Sequence, residues 1–306
     1  MNQPGVAPTV VQPSASTRAA ESLNRQTWQR EDVLAEYASL EGWSDPGEWR
    51  AIQLLAPELR NKRILDIGVG SGRTTTWLRL LTDDYVGIDY TQGMVEQAAA
   101  RHPDADIRHG DARDLSEFAD ASFDALNFSF SGIDAVGHDD RARVLSEMAR
   151  VLKPGGVALY STFNRSGPDF ARTPLKKGEL PWQVGSLQGS WTPRPVRLAK
   201  TLLRTARDPG RPLREYKTWK ALHEQGEAHA TWGMAPLGAH GYGLLIHWVT
   251  PVGARAEAAA VGLDVELLIA AEGPTLYEAT TGLTGDVSSA RWFHVIARRR
   301  AEPATD

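Results

Sequence analysis

The chain has 306 residues, 42% of them hydrophobic, a formal net charge of −4 and no cysteine. That is enough apolar material for one large or two modest cores; it excludes disulfides, a thiolate nucleophile and cysteine-ligated metal, and the charge gives no global argument for nucleic acid. No apolar run reaches the ~18 residues of a membrane-spanning helix, and the N-terminus lacks the basic and apolar regions of a secretory signal, so a cytoplasmic protein without a membrane anchor is expected.

In chain order, residues 1–18 read as a disordered tail, and 19–60 as a helical region with helices over 31–40 and 46–55, the second stopping before Pro57. Short apolar strands follow at 63–67, 85–88, 107–109, 123–128 and 157–163, separated by helical patterns, which is the signature of parallel βαβ units. The last of those helices carries Val144, Leu145, Met148, Val151 and Leu152 on one face and stops at Pro154 and Gly155. Residues 61–163 thus form a core, and 164–240 an insertion after its fifth strand. The remainder, 241–300, holds a helix capped by Thr250 and Pro251 and closed by Gly262, then strands at 264–270 and 291–297; 301–306 is a tail.

The stretch 64–73 reads ILDIGVGSGR, an apolar run opening into Gly68, Gly70 and Gly72. Such a strand-to-helix turn brings backbone N–H groups up to a ligand. A dinucleotide fingerprint wants its third glycine where Arg73 stands, and no Lys-Ser/Thr pair follows to make a P-loop. Asp66 would repel a pyrophosphate but suits an ammonium, and Asp89, at the end of the second strand, suits ribose hydroxyls. The expected ligand is a nucleoside with a cationic amino-acid end.

Four stretches in register, LDIGVGSGR, VGIDYTQGMVEQA, GDARDL with SFDALNFSF, and RVLKPGGVALYST, resemble the class I S-adenosylmethionine-dependent methyltransferases, closely over 60–163 and loosely over 240–300. The resemblance implies an α/β, Rossmann-like, seven-stranded and mostly parallel sheet with helices on both faces and a last antiparallel hairpin, the N-terminal helices and the insertion forming a lid. It implies S-adenosylmethionine as cofactor and S-adenosylhomocysteine as product. By the same similarity Asp66 would orient the methionine ammonium, directly or through water, and Gly68, Val69 and Gly70 would give backbone contact. Asp89 would hold the ribose, Tyr90 and Met94 would pack near the adenine, Asp111 would accept from its amino group and Ala112 would offer its N–H. Phe128 and Ser129 would line the methionine side.

The acceptor is read from what surrounds that core. Nine of the ten tryptophans lie outside 60–162, which points to an aromatic-rich lid over a small aromatic or apolar secondary metabolite, methylated at O, N or an activated carbon; a tryptophan-containing cyclodipeptide methylated on the indole is one such acceptor. The run AHGYGLLIHWVTP offers His240, Tyr242 and His247 as general bases. Tyr37 and Asp134 are further candidates, and His138 is expected at a helix entry. The sequence shows no metal-ligand constellation, so metal-independent chemistry is expected. Thirteen Lys or Arg against six Asp or Glu over 163–250 keep an RNA methyltransferase as an alternative, but the basic helix 193–207 carries apolar residues that ask to be packed, and no RNA-binding motif accompanies it. A non-catalytic cofactor-binding regulatory protein is the other alternative. Monomer and homodimer are equally compatible.

Overall fold

The computed structural model describes residues 15–170 and 206–301. Three helices lead in: α1 (Ala15–Trp28), α2 (Glu31–Ala38) and α3 (Pro46–Leu59). Helix α1 begins inside the segment expected to be a tail; residues 1–14 lie outside the described part. Helix α3 runs through Pro57 rather than ending before it. Both Pro57 and Gln53, whose carbonyl loses its N–H partner there, are exposed, so water can replace the missing bond. At the other end the Asp45 carboxylate caps α3 by accepting the Glu48 N–H at 2.8 Å.

The core alternates as its apolar pattern requires: β1 (Ile64–Ile67), α4 (Thr75–Leu78), β2 (Tyr85–Asp89), α5 (Gln92–Arg101), β3 (Asp106–His109), β4 (Phe123–Phe128), α6 (His138–Val151) and β5 (Leu152–Phe163). Strand β5 starts earlier than expected because Leu152 leaves the helix in extended backbone and continues straight into the ladder. After the insertion come α7 (Arg211–His223), β6 (Glu227–Ala228), β7 (Trp232–Leu237), β8 (Leu244–Val249), α8 (Pro251–Ala260), β9 (Leu263–Ala270), β10 (Thr275–Glu278), β11 (Gly282–Leu283) and β12 (Trp292–Arg299).

One sheet runs β11-β10-β9-β12-β5-β4-β1-β2-β3. Strands β1 to β5 pair in parallel, and β12 lies antiparallel between β5 and β9. The sheet therefore has nine strands, not seven: β10 and β11 extend its edge. Their four and two residues are too short to give a periodic signal. Alternate residues of each strand feed two cores. Leu65 and Ile67 face α6 and α8, whereas Ile64 faces α3 and α4. Helix α3 lies so close to the sheet that a Cβ on Gly47 would stand 2.1 Å from the Ala270 carbonyl oxygen.

The insertion builds a separate antiparallel sheet, β6-β7-β8. This corrects the boundary at 240, because β8 belongs to the accessory sheet and the core resumes only with α8. All six residues of β8 are buried. Its edge is closed by α1: the Asn24 side chain accepts the Leu245 N–H at 3.0 Å and donates to Leu245 O at 2.8 Å and Ala135 O at 2.6 Å. An amide can satisfy both an N–H and a C=O, so it blunts an edge strand as a neighbouring strand would. The basic helix expected over 193–207 falls outside the described residues except for its last two.

Candidate active site

A cavity opens where β1, β2 and β4 end, roofed by α1 and α2 and walled on the far side by β8 and Phe163. It holds about 1180 Å³ of non-protein space, its open mouth included.

The glycine turn forms its floor. Gly68 and Gly70 have φ of 64° and 56°, and a Cβ on Gly68 would meet the Phe128 ring at 2.7 Å; both conformation and space demand glycine. Asp89 faces the turn, accepting the Gly70 N–H at 3.0 Å and the Thr91 N–H at 2.8 Å. Burial raises its carboxyl above the ordinary range, partly offset by those two N–H groups.

Of the residues proposed for the cofactor, Gly68, Gly70, Asp89, Tyr90, Met94, Asp111, Ala112, Phe128 and Ser129 line the cavity. Val69 does not: it is buried beneath, its N–H donating to Ile88 O at 3.0 Å. Asp66 does not either. Its side chain leaves β1 on the face of Ile64, where Oδ2 accepts from Thr74 Oγ1 at 2.5 Å and Tyr85 OH at 2.8 Å and Oδ1 accepts from Asn127 Nδ2 at 2.7 Å. Burial pushes this carboxyl up to about 6 against the pull of those three donors. Asp66 thus ties β1 to β2 and β4 behind the turn. Asp111 carries a forked ion pair with Arg113, whose other donors reach Glu21 at 2.9 Å and Asp140 at 3.1 Å.

The base candidates separate. Tyr37 and His240 line the cavity; Tyr242 and His247 do not. His240 Nδ1 lies 3.5 Å from a Glu36 carboxylate oxygen. On β8 the pleat sends Leu244 and Ile246 into the cavity and His247 to the opposite face. There His247 Nε2 meets His138 Nδ1 at 3.0 Å, with Glu257 at 3.9 Å. Asp134 is fully enclosed away from the cavity, accepting from Arg141, Thr162 Oγ1 and the Phe163 N–H at 2.5, 2.7 and 2.6 Å, so it anchors β5 and has no open side for a substrate.

His138, His247 and Glu257 are a possible ligand trio that no sequence spacing announced, since α6, β8 and α8 supply one each. The two imidazoles are nearly coplanar, at 10°, with centroids 5.2 Å apart. That separation is the N···N distance plus two ring radii, so nitrogen faces nitrogen head-on. A shared ion needs both lone pairs to converge off that line, ~2.0–2.1 Å from each nitrogen. The pair is built as an N–H···N hydrogen bond instead.

Several groups escaped the sequence reading. Arg73 donates to Glu48 through both terminal nitrogens, at 2.7 and 2.8 Å, and to Ser129 Oγ. Burial would raise the Glu48 carboxyl, but the guanidinium outweighs it and holds the group below its ordinary range. Phe130, Glu36 and Asn24 were also missed, and only non-local contacts could have singled them out. Among the described tryptophans, Trp28 alone lines the cavity. Trp248 and Trp292 pack with Phe163 in the core, and Trp232 stacks on His138 at 3.7 Å. Among the described residues, the other rings of the cavity belong to tyrosine, phenylalanine and histidine; Trp182 and Trp191 lie outside the described residues.

Residues 64–156 match a family model described as a methyltransferase domain. A probable S-adenosylmethionine-dependent methyltransferase of Mycolicibacterium smegmatis is 36% identical over 132 residues, 42% of this chain and 50% of that protein. A demethylmenaquinone methyltransferase of Renibacterium salmoninarum is 39% identical over 109 residues, 36% of this chain and 44% of that protein. The chain thus spans about half the length of these curated relatives. Among solved structures, Burkholderia thailandensis 1,6-didemethyltoxoflavin-N1-methyltransferase, determined with 1,6-didemethyltoxoflavin and S-adenosylhomocysteine bound, aligns with a TM-score of 0.50 at 13% identity, covering 95% of this chain and 93% of that one. At that identity the likeness concerns the fold.

Proposed function

We propose that the chain, whose residues 64–156 match a methyltransferase domain model, binds S-adenosylmethionine in this cavity and methylates a small, neutral, largely apolar aromatic acceptor with His240 as general base. The observation that carries the cofactor assignment is Asp89. Its protein donors both come from the turn side, Gly70 and Thr91, and leave lone pairs toward the cavity for two vicinal hydroxyls. Tyr90 and Met94 offer a flat apolar wall beside it, and Gly68 admits close backbone approach; this set fits a nucleoside. When bound, the cofactor supplies an electrophilic methyl group on a sulfonium, which passes to the acceptor's nucleophilic atom and leaves a neutral thioether.

The acceptor class is read from charge. The charged lining residues, Glu21, Arg25, Asp89, Asp111 and Arg113, group around Tyr90. The opposite wall is Phe163, Leu237, Leu244 and Ile246, with Asn24 already engaged by backbone. A charged acceptor would be desolvated there without a partner. The His240 side chain is buried with Glu36 beside Nδ1, an arrangement that leaves Nε2 as the nitrogen to take the acceptor's proton. Exclusion of water by α1 and alignment of the acceptor supply the rest.

Calorimetric titration of the full chain with S-adenosylhomocysteine, with NAD as comparison, tests the cofactor; micromolar binding of the first alone is expected. Methyl-labelled cofactor offered with a panel of phenols and indoles tests transfer, and His240→Gln should slow it at saturating cofactor by about 10²–10⁴-fold, with S-adenosylhomocysteine binding kept within about 2-fold. Preference for NAD, or binding of neither, overturns the proposal.

A further inference from the structure

Four rings from four segments converge over the glycine turn. Tyr37 is half-buried, and its Cδ1 lies 3.7 Å from the place a Cβ would take on Gly70, so the phenol ring covers the turn. Trp28 meets it edge-on at 87° with centroids 5.3 Å apart. Phe130 stands 5.9 Å away at 72°, and His240 6.1 Å away at 37°. Two of these rings are delivered by backbone that side chains avoid. Phe130 has φ of 56° and His240 φ of 52°, both in the left-handed region, and each stands beside a second non-glycine or glycine residue of the same kind, Ser131 at 57° and Gly241 at 69°. Such conformations persist where the surroundings over-determine them, and they gather at ligand-holding sites. Here two facing turns spend that strain on one spot.

The electrostatics of the spot are distinctive. The nearest lining carboxylate, Asp89, is turned to Gly70 and Thr91. The Arg73 guanidinium sits 5.0 Å over Phe130 but is neutralised by Glu48. A positive charge arriving above Gly70 therefore meets π-systems first, with the Glu36 carboxylate beyond them, 3.5 Å from His240 Nδ1. Ring quadrupoles attract cations, most strongly those that are weakly hydrated, and a sulfonium spreads its charge over its attached carbon and hydrogen atoms.

Resting on the cofactor reading above, we infer that the Tyr37, Trp28, Phe130 and His240 rings form a charge-reading cage for the sulfonium, which makes the protein hold S-adenosylmethionine more tightly than S-adenosylhomocysteine. Loss of the methyl group removes the charge, so the same rings let the product go.

The test compares two ligands on the full chain. Calorimetry with S-adenosylmethionine and with S-adenosylhomocysteine is run on the natural protein, on Tyr37→Leu and on Tyr37→Phe, with a thermal melt to verify folding. Tyr37→Leu is expected to weaken S-adenosylmethionine by about 3- to 10-fold and S-adenosylhomocysteine by less than about 2-fold, while Tyr37→Phe, which keeps the ring, keeps the natural ratio. Equal weakening of both ligands by Tyr37→Leu, or none, overturns the cage while leaving the cofactor site standing. Natural protein that binds neither ligand overturns the cofactor reading itself. Should Tyr37→Leu fail to fold, Trp28→Leu carries the same expectation.

Discussion

Asp89 and Gly70 are joined by a hydrogen bond of 3.0 Å from the Gly70 N–H to the Asp89 carboxylate, which closes the glycine turn of β1 onto the end of β2. One side chain thereby shapes the turn and faces the cavity. Asp89→Ala should weaken S-adenosylhomocysteine binding by about 10²–10⁴-fold, since it removes two hydrogen bonds to a charged group worth ~1.5–3 kcal/mol each. It should also lower stability by about 1–3 kcal/mol through the freed Gly70 and Thr91 N–H groups. Calorimetry and a urea titration read the two effects; unchanged affinity would remove Asp89 from the site.

Asp66 is held at about 6 by burial, against an ordinary value near 3.8. The folded state therefore keeps its proton to higher pH than the unfolded chain does. This contribution to stability is fully present below about pH 3.8 and is lost as pH rises to about 6, on the order of 3 kcal/mol in all. Asp66→Asn should restore it at pH 7 and raise the melting temperature. Asn127 can accommodate the new amide by flipping its own, because its Oδ1 is buried without a partner. A melting temperature lower than that of the natural protein at pH 7 would contradict this account.

His247 shows the opposite sign. Burial, then Arg141 and His138, hold its imidazole well below the ordinary value. The unfolded chain takes up that proton first, so this contribution is present above about pH 6.5 and is lost as pH falls below it. Titratable neighbours in contact are His138 and Glu257. His247→Leu should flatten the fall in stability between about pH 6.5 and 5, read by melts across that range; an unchanged slope would assign the acid sensitivity elsewhere.

Glu48 and Arg73 are both buried and doubly bonded. Arg73→Met should cost about 3–5 kcal/mol, because it leaves a buried carboxylate unpaired. The double change Glu48→Gln with Arg73→Met should recover a large part of that loss. Denaturant titrations of the single and double variants decide it, and additive losses would mean the two residues do not act as a pair.

The parallel core was legible because it is local. Residues 64–67, 85–89 and 123–128 are short, mostly apolar runs, and the helix 138–151 shows its periodicity without help from any partner. Gly68, Gly70 and Asp89 could be read for a related reason: conformation at a turn and position at a strand end are short-range properties. Asp66 and His247 were misjudged because adjacency in sequence does not tell which face of a pleat a side chain takes. Each lies one residue from a group that enters the cavity, Ile67 and Ile246, and so points the other way. Asn24, which anchors α1, had no local signal at all, reaching Leu245 across 221 positions.

By itself, then, the sequence determined the alternation of strands and helices, the glycine turn and its acidic neighbour, because hydrophobic period and backbone freedom act over a few residues. Only the tertiary structure decided which of the candidate bases meets the cavity, that a ring cluster covers the turn, and that α1 closes the edge of β8. Those depend on strand register and on contacts between distant segments, where the direction of a single Cβ selects the partner.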